Sequence, residues 1–250
     1  MIQQQVNQST IDINTSTISE IVKEDYSKAE IFNRFGIDFC CGGHRTIAEA
    51  CQQKDINASE VKEQLRSFTE TTPGALNRFN QWDIDFLVAY IVQNHHRFVR
   101  QIASELPPLV HKVAEKHGEN HPETRQVAQI FEELTTELSA HLQKEEQVLF
   151  PYVNELVAAQ NKEQSVGEFH CGNIEQPINV MEMEHDNAGN YLKKLNHLTN
   201  GYTPPEDACN TFKYVYHKLH ELETDLHQHI HLENNIVFPK AKKLEKEMVE

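Results

Sequence analysis

Two stretches of this sequence repeat one pattern: His141-Leu-Gln-Lys-Glu145-Glu-Gln-Val-Leu-Phe150-Pro151 and His229-Ile-His-Leu-Glu233-Asn-Asn-Ile-Val-Phe238-Pro239. Both read His-x3-Glu-x4-Phe-Pro, and they lie 88 residues apart. Residues four apart share one face of a helix, so each histidine points to the same side as its glutamate. A weaker echo relates His95-His96 to Glu184-His185, 89 residues later. The repeat predicts two similar helical hairpins with a site where they meet.

The histidines and glutamates of this repeat continue apolar helical stripes, so we expect them to face the core. One stripe leads to His141 and Glu145 through Val127, Phe131, Leu134 and Leu138. The other leads to His229 and Glu233 through Val215, Leu219, Leu222 and Leu226. His185 shares a stripe with Met181, Ala188, Leu192 and Leu195, and Glu184 borders it. Periodicity alone accepts either His95 or His96 as the fourth core histidine.

A buried carboxylate needs a partner or a metal ion. Two divalent cations bridged by the two glutamates would satisfy all six core groups. Nitrogen and oxygen donors without cysteine favour iron or manganese over a structural zinc site. We interpret seven further histidines as ordinary surface or core residues: His111, His117, His121, His197, His217, His220 and His227. His231 lies off the stripe, and we expect it to be exposed or to support a ligand.

The rest of the chain predicts an all-α fold. Four long helical patterns span 82–118, 122–160, 177–199 and 203–246, with a break expected at Pro107-Pro108 in the first. The fourth is expected to open with a capping box and an early proline at Thr203-Pro204-Pro205-Glu206. A polar loop, 161–176, separates the second from the third. Four long helices with short connections predict an antiparallel four-helix bundle.

A small helical domain is expected before the bundle. Its helices are predicted from an N-cap at Ser27 to Phe35, where Gly36 ends the first, and then over 45–53 and 58–69. The Thr71-Thr72-Pro73-Gly74 segment is typical of a linker. We therefore predict a paired-cysteine domain over 1–74 and the bundle over 75–250.

Cys40 and Cys41 are adjacent and precede Gly42-Gly43. Neighbouring cysteines cannot easily close on each other, so they suit thiolate chemistry toward a partner or transient metal capture. The alternative is two small buried apolar residues. We interpret Cys51 and Cys209 as packing residues and assign no role to His170-Cys171.

Composition restricts the class of protein. With 23 basic and 38 acidic residues the formal net charge is −15, which argues against nucleic-acid binding. No apolar run approaches the roughly 18 residues of a membrane span. The N-terminus lacks the basic and apolar regions of a secretion signal. Five cysteines, two of them adjacent, do not form a secreted disulfide framework, so we expect a cytoplasmic protein.

Three bundle segments, HLQKEEQVLFP, MEMEHD and HLENNIVFPKA, resemble the hemerythrin-like bundle of the iron–sulfur cluster repair di-iron family. FGIDFCCGGHRTI resembles that family's N-terminal paired-cysteine domain, and the resemblance runs from about residue 17 to 240. It implies Cys40 and Cys41 as the functional thiols. It implies six metal ligands: His96, His141, Glu145, His185, His229 and Glu233. It also places Glu184 near the centre.

The resemblance further implies a function. The expected protein repairs iron–sulfur clusters damaged by nitric oxide or oxidants, by donating iron from a pair of ions that an oxo or hydroxo group can bridge. Its expected partners are damaged iron–sulfur proteins, nitric oxide or O₂, and a second copy of the chain in a homodimer. The alternatives are a hemerythrin-like O₂ or NO sensor or carrier, and a di-iron NO reductase. We rank a metal donor above a turnover enzyme because the sequence reveals no substrate pocket.

Overall fold

The computed structural model describes residues 11–68, 78–162, 169 and 171–249. The chain divides into two compact units, 1–81 and 82–250. Within the described ranges the structure is helical, and its β pairing is limited to an isolated bridge between Thr17 and Thr46. The predicted all-α fold is confirmed. The linker predicted at 71–74 lies outside the described residues.

The N-terminal unit is built from short helices. They are α1 (Ile18–Glu24), a 3₁₀ turn (Tyr26–Lys28), α2 (Ala29–Arg34), α3 (Ile47–Lys54), α4 (Ala58–Ser67) and a second 3₁₀ turn (Phe79–Gln81). Helix α1 was not predicted. Thr17 and Thr46 begin α1 and α3 with complete capping boxes, closed by Glu20 and Glu49. Each box satisfies backbone N–H groups that a helix N-terminus leaves without partners.

The predicted N-cap at Ser27 is wrong. Asp25 occupies the cap instead, and its carboxylate accepts hydrogen bonds from the backbone N–H of Ser27 at 3.1 Å and from its hydroxyl at 2.5 Å. Asp and Ser both cap well, so the two residues compete for one position. The predicted end is found: Phe35 is the C-cap and Gly36 has φ +61°, a left-handed conformation that glycine adopts without strain.

The bundle unit contains eight α-helical segments within the described ranges. They are α5 (Ile84–Ile91), α6 (Arg97–Glu105), α7 (Pro107–His117), α8 (Glu123–Lys144), α9 (Phe150–Lys162), α10 (Glu175–Leu198), α11 (Asn210–Leu232) and α12 (Phe238–Val249). Leu106 separates α6 from α7, where Pro107 starts a new helix, as predicted. These segments form the four long helical rods of the bundle: α5 to α7, α8 to α9, α10, and α11 to α12.

The predicted opening of the fourth rod is wrong. Residues 203–209 form a turn in which the N–H of Ala208 donates to the carbonyl of Pro205, and α11 begins only at Asn210. A residue that precedes proline is pushed out of the helical region, so the second of two consecutive prolines opposes a helical start at the first. Cys209 becomes the exposed N-cap of α11 rather than a packing residue, so that expectation is also wrong.

Three of the four rods contain a π-helical turn. These turns are Val92–His96, Glu145–Leu149 and Glu233–Val237. In the last two, the N–H of Phe150 and Phe238 donates to the carbonyl five residues back, on Glu145 and Glu233. Turns of this kind are rare and concentrate at functional sites. The repeat seen in the sequence therefore extends to the backbone hydrogen bonds.

The bundle packs around an apolar core. Helix α8 packs on α7 and α10, while α9 packs on α5 and α12. The predicted stripes lie in this core, since Phe131, Leu134, Leu219 and Leu226 are all buried. Among the residues that the structure describes, each helix is too short or too polar to cross a lipid bilayer.

Candidate metal centre

The six ligands predicted from the sequence meet in the middle of the bundle. Each is between 0% and 3% exposed. His141 and Glu145 come from the second rod, and His229 and Glu233 from the fourth. His96 and His185 come from the first and third. Helices that pass the same level in opposite directions bring residues about 45 apart in sequence into one layer.

These residues form two groups that could each hold a metal ion. His96 and His229 complete one group, and His141 and His185 complete the other. Glu145 and Glu233 belong to both groups, so both carboxylates lie between the two positions. We refer to them as the 96/229 position and the 141/185 position. A carboxylate shared in this way is placed to bridge two cations.

The distances within the centre fit bound cations better than they fit hydrogen bonds. The Nε2 atoms of His141 and His185 lie 3.1 Å apart, and two neutral rings whose Nδ1 atoms donate to Glu184 and Asn234 would direct two lone pairs at each other there. Glu145 Oε2 lies 3.3 Å from His96 Nε2 and 3.4 Å from His141 Nε2. Metal bonds of about 2.0–2.2 Å place neighbouring ligand atoms at such separations.

Several buried atoms here have no hydrogen-bond partner among the described residues. They include both carboxylate oxygens of Glu145 and the Nε2 atom of His96. A buried carboxylate oxygen without a partner carries a desolvation penalty that a cation would remove. The donor set of four imidazoles and two carboxylates therefore fits a pair of metal cations.

Outer side chains hold three of the four imidazoles at their second nitrogen. The Nδ1 of His96 lies 2.6 Å from Glu146 Oε1, and that of His185 lies 2.7 Å from Asn234 Oδ1. The Nδ1 of His141 lies 2.9 Å from Glu184 Oε2. Such partners fix the tautomer and the ring orientation of a ligating histidine.

Glu146 and Asn234 were not identified from the sequence. Each follows a glutamate of the repeat, Glu145 or Glu233, so the repeat itself carried the signal. Each is also directed at the neighbouring rod: Glu146 reaches His96, while Asn234 reaches His185. The two phenylalanines of the repeat make matching contacts: Phe150 stacks on His96, and Phe238 stacks on His185.

His95 and His231 are both buried, at 2% and 1% exposed. His95 belongs to neither metal group; its Nδ1 lies 2.9 Å from Asp225 and its ring stacks on His229. Of the two alternatives for His231, exposure is wrong and support of a ligand stays a prediction; its Nδ1 lies 3.1 Å from Asn235 Nδ2. Of the two adjacent histidines, His96 is the one that the structure places in the centre.

Charges and burial compete within the metal-free centre. Burial lowers the pKa of His96, but the neighbouring carboxylates of Glu145 and Glu233 outweigh burial and raise it to about 10. The same competition raises the pKa of His185 to about 9. Burial, by contrast, lowers the pKa of His229 to about 3. Protons on His96 and His185 therefore balance the carboxylates when no cation is bound.

The two carboxyl groups are driven in opposite directions. Burial and the charge of Glu233 raise the pKa of Glu145. Burial also opposes ionisation of Glu233, but His229 and His185 outweigh burial and lower its pKa well below the usual range. Two carboxylates at close range cannot both ionise easily without positive charge between them.

A small cavity adjoins the imidazoles of His141, His185 and His229. Its wall is mainly aliphatic, with two carboxylates. The aliphatic residues are Leu134, Leu138, Ala188, Leu226 and Ile230, and the carboxylates are Glu137 and Glu184. Imidazoles and carboxylates thus line this cavity together with aliphatic side chains.

The paired cysteines of the N-terminal unit form a third group that could hold a metal ion, together with Asp38. Asp38 Oδ1 accepts the backbone N–H groups of Cys40, Cys41 and Gly42 at 3.1–3.2 Å, and the Cys40 thiol lies 3.3 Å away. Gly43 is required by close packing, since a Cβ there would lie 2.3 Å from the carbonyl oxygen of Phe39. The loop is thus held in one shape around the thiols.

Cys40 is buried, whereas Cys41 is half-buried. A hydrogen bond with Cys41, burial and the charges of Cys41 and Asp38 raise the pKa of Cys40 well above its usual range. Cys40 is therefore a thiol at neutral pH, and a cation bound there would have to displace its proton. Cys51 is buried in α3, as a packing residue would be.

Two known domain families match this chain. Residues 87–241 match the hemerythrin HHE cation binding domain, and residues 14–69 match the ScdA_N domain, a domain of unknown function (DUF542). The first match covers the described bundle from α5 to α12, including all six residues of the centre. The second covers the loop of Cys40 and Cys41.

Curated relatives match over most of their length. The iron–sulfur cluster repair protein YtfE of Pectobacterium atrosepticum is 35% identical over 85% of this chain and 90% of its own. The iron–sulfur cluster repair protein ScdA of Staphylococcus haemolyticus is 33% identical over 91% of this chain and 98% of its own. A probable iron–sulfur cluster repair protein of Haemophilus influenzae is 35% identical over 90% and 95%.

Proposed function

Because this chain belongs to the iron–sulfur cluster repair family, we propose that it repairs iron–sulfur clusters damaged by nitrosative or oxidative stress by donating iron. The observation that carries the proposal is the buried centre of four histidines and two shared glutamates, which lies in a hemerythrin cation binding domain. Membership of that domain family implies iron binding. The curated relatives supply the repair function, since each is named for it.

We infer two iron ions in each chain. His96 and His229 would hold one ion, His141 and His185 the other, and Glu145 and Glu233 would bridge them. Bound iron would supply a reversible affinity for small ligands such as nitric oxide or O₂. The protein's own part is to fix the imidazoles through Glu146, Glu184 and Asn234 and to exclude bulk water.

We assign the handover of iron to Cys40 and Cys41 of the N-terminal unit and the storage of iron to the bundle. Asp38, Cys40 and Cys41 combine soft and hard donors in one half-buried loop, which suits brief capture of Fe²⁺. Five cysteines, two of them adjacent, do not suit a secreted disulfide framework, so we place the protein in the cytoplasm. The damaged iron–sulfur protein is the expected partner, and a homodimer stays a prediction.

The test is a transfer experiment with labelled metal. The purified protein, loaded anaerobically with ⁵⁷Fe, should carry about two irons and should restore an enzyme whose [4Fe–4S] cluster nitric oxide has damaged. Mössbauer spectra of the separated enzyme should then contain the label. Restoration without label would contradict iron donation, and a carrier or sensor would give no restoration at all. Sustained consumption of nitric oxide with an electron donor would favour an NO reductase.

A further inference from the structure

The repeat that relates the two hairpins of the bundle breaks down at the residue before the ligand histidine of the first and third rods. Glu184 precedes His185 in one hairpin, and His95 precedes His96 at the matching place in the other. Each of these side chains contacts an imidazole of the centre: Glu184 lies beside His141, and His95 lies beside His229. A carboxylate on one side is thus replaced by a second imidazole on the other.

The replacement changes how the neighbouring ligand is held. The Nδ1 of His141 lies 2.9 Å from Glu184, and Lys144 pairs with that carboxylate. The Nδ1 of His229 is buried and has no hydrogen-bond partner among the described residues. The ring of His95 stacks on His229 at a centroid distance of 5.4 Å and an interplanar angle of 12°. A stacked ring covers the imidazole but accepts no hydrogen bond from it.

His95 is not available to turn toward His229 without losing another contact. Its Nδ1 lies 2.9 Å from Asp225 Oδ1, a partner on α11 four residues before His229. The matching residue of the other hairpin is Glu137, which instead accepts a hydrogen bond from the hydroxyl of Tyr191 at 2.8 Å. The two hairpins therefore use their matching acidic residues differently.

The other pair of ligands does not cancel this difference. His96 is held by the carboxylate of Glu146, and His185 is held by the amide of Asn234. Each metal position thus has one carboxylate partner behind a ligand. The 141/185 position has a second partner, whereas the 96/229 position has none behind His229. Loss of such a partner typically weakens metal binding about 10- to 100-fold.

We propose that the iron in the 96/229 position is the one that the protein gives up, while the 141/185 position retains its iron. This inference rests on the proposed function, because it names which of the two ions is donated. His95 and Glu184 are positioning residues that act through His229 and His141. A protein that must donate iron and keep its fold gains from such unequal sites, because one bound ion remains to neutralise the buried glutamates.

The test follows the rate of iron loss from the intact chain. The protein loaded anaerobically with Fe²⁺ is mixed with excess ferrous chelator, and the coloured complex is recorded with time. Two phases of one iron each are expected, with rates that differ about 10- to 100-fold. Glu184→Gln should accelerate only the slow phase. His95→Glu, which supplies a carboxylate beside His229, should retard only the fast phase.

His95→Glu also places a new carboxylate near Asp225, so a second variant guards against misfolding. The double change His95→Glu with Asp225→Asn removes that repulsion and should retard the fast phase equally. Circular dichroism and the iron content confirm that each variant is folded and loaded. A single phase that releases two irons overturns the inference and leaves the di-iron function intact, as does a fast phase that neither His95 variant changes. A wild-type protein that binds fewer than two irons overturns both.

Discussion

The bundle and the N-terminal unit each present side chains that could hold a metal ion, and the two groups differ in the physical properties that govern metal exchange. The bundle offers imidazoles and carboxylates from four separate rods, all almost completely buried. The N-terminal unit offers Asp38, Cys40 and Cys41 from one loop, with Cys41 half-buried. The donors of the first group are harder and enclosed by the bundle, whereas those of the second group include softer thiols and are partly exposed.

This difference explains why one chain would contain both groups. Ligands fixed by packing and outer hydrogen bonds hold a cation firmly but release it slowly. A short loop near the surface can exchange its ligands with a partner because few contacts must break. Storage and delivery thus place opposite demands on a site, and under the proposed function the chain would meet them in different units. A variant of one unit should therefore leave the metal binding and the fold of the other unit unchanged.

The largest effect is expected from removal of both shared carboxylates. Glu145→Ala with Glu233→Ala should abolish binding of both irons, because each carboxylate belongs to both metal groups. Iron analysis of the purified protein should fall from about two per chain to near zero. Glu132→Ala, whose side chain is 69% exposed, is the matched control and should keep its iron. One iron retained by the double variant would mean that the glutamates do not bridge.

Removal of the paired thiols should separate delivery from storage. Cys40→Ala with Cys41→Ala should leave the iron content and optical spectrum of the bundle unchanged while repair of a damaged cluster is lost. Cys51→Ala removes a buried thiol of the same unit, which lies outside the three metal groups, and serves as the control. Repair at the normal rate by the double variant would contradict the delivery role.

Metal binding should depend on pH in a known direction. The pKa values of His96 and His185 rise to about 10 and 9 in the metal-free centre, so both carry protons at pH 7. A cation must displace those protons, and its apparent affinity should rise with pH by about tenfold per pH unit for each proton released. Calorimetry with Co²⁺ between pH 6 and 8, in buffers of different ionisation enthalpy, counts the protons.

The stability of the metal-free bundle should follow the opposite trend. Because the folded-state pKa of His96 lies above its unfolded value near 6.5, its stabilising contribution is complete below that pH. The contribution is lost as pH rises toward about 10. Urea unfolding of the metal-free protein should therefore show lower stability at pH 9 than at pH 7. Equal stability at both pH values, or metal binding without proton release, would contradict these pKa shifts.

The smallest effect concerns the fold of the N-terminal unit. Thr46→Ala removes the hydroxyl that caps α3 and should destabilise that unit by about 1 kcal/mol. Amide hydrogen exchange within α3 should accelerate, whereas the bundle should bind iron normally. Thr136→Ala, in the interior of α8, should change little because alanine favours a helix. Faster exchange in α8 for either variant would be unexpected.

Much of the metal centre could be predicted from the sequence because its ligands obey helical spacing. His141 and Glu145 continue the stripe of Phe131 and Leu138, so burial follows from the pattern alone. The choice between His95 and His96 could not be made in this way. A π-helical turn ends at His96, and the regular period assumed for the sequence does not hold through it.

The outer partners escaped sequence reasoning for another reason. Glu146 is a charged residue of a type that usually lies on the surface. Only the tertiary packing brings its Oε1 atom to 2.6 Å from the Nδ1 of His96. The start of α11 was also mispredicted, because two local rules compete at Pro204 and Pro205. The capping pattern favours a helical start there, whereas a residue before proline is restricted to extended backbone. Local patterns thus identified the buried histidines and glutamates of the repeat, but neither the neighbours that support them nor the burial of His231.

The π-helical turns have a consequence for anyone who would transplant this centre into an ideal bundle. Each turn contains one residue more than a regular helix would use, so every side chain beyond it is rotated by about 100° relative to a straight helix. Deletion of a single residue between Glu145 and Leu149 would restore backbone hydrogen bonds between residues four apart. It would also change the direction of the Phe150 side chain relative to that of His141. A scaffold of perfectly regular coiled coils could carry all six ligands and still misplace the two phenylalanines that stack on His96 and His185. The extra residue of each turn thus determines which side chains cover the ligands.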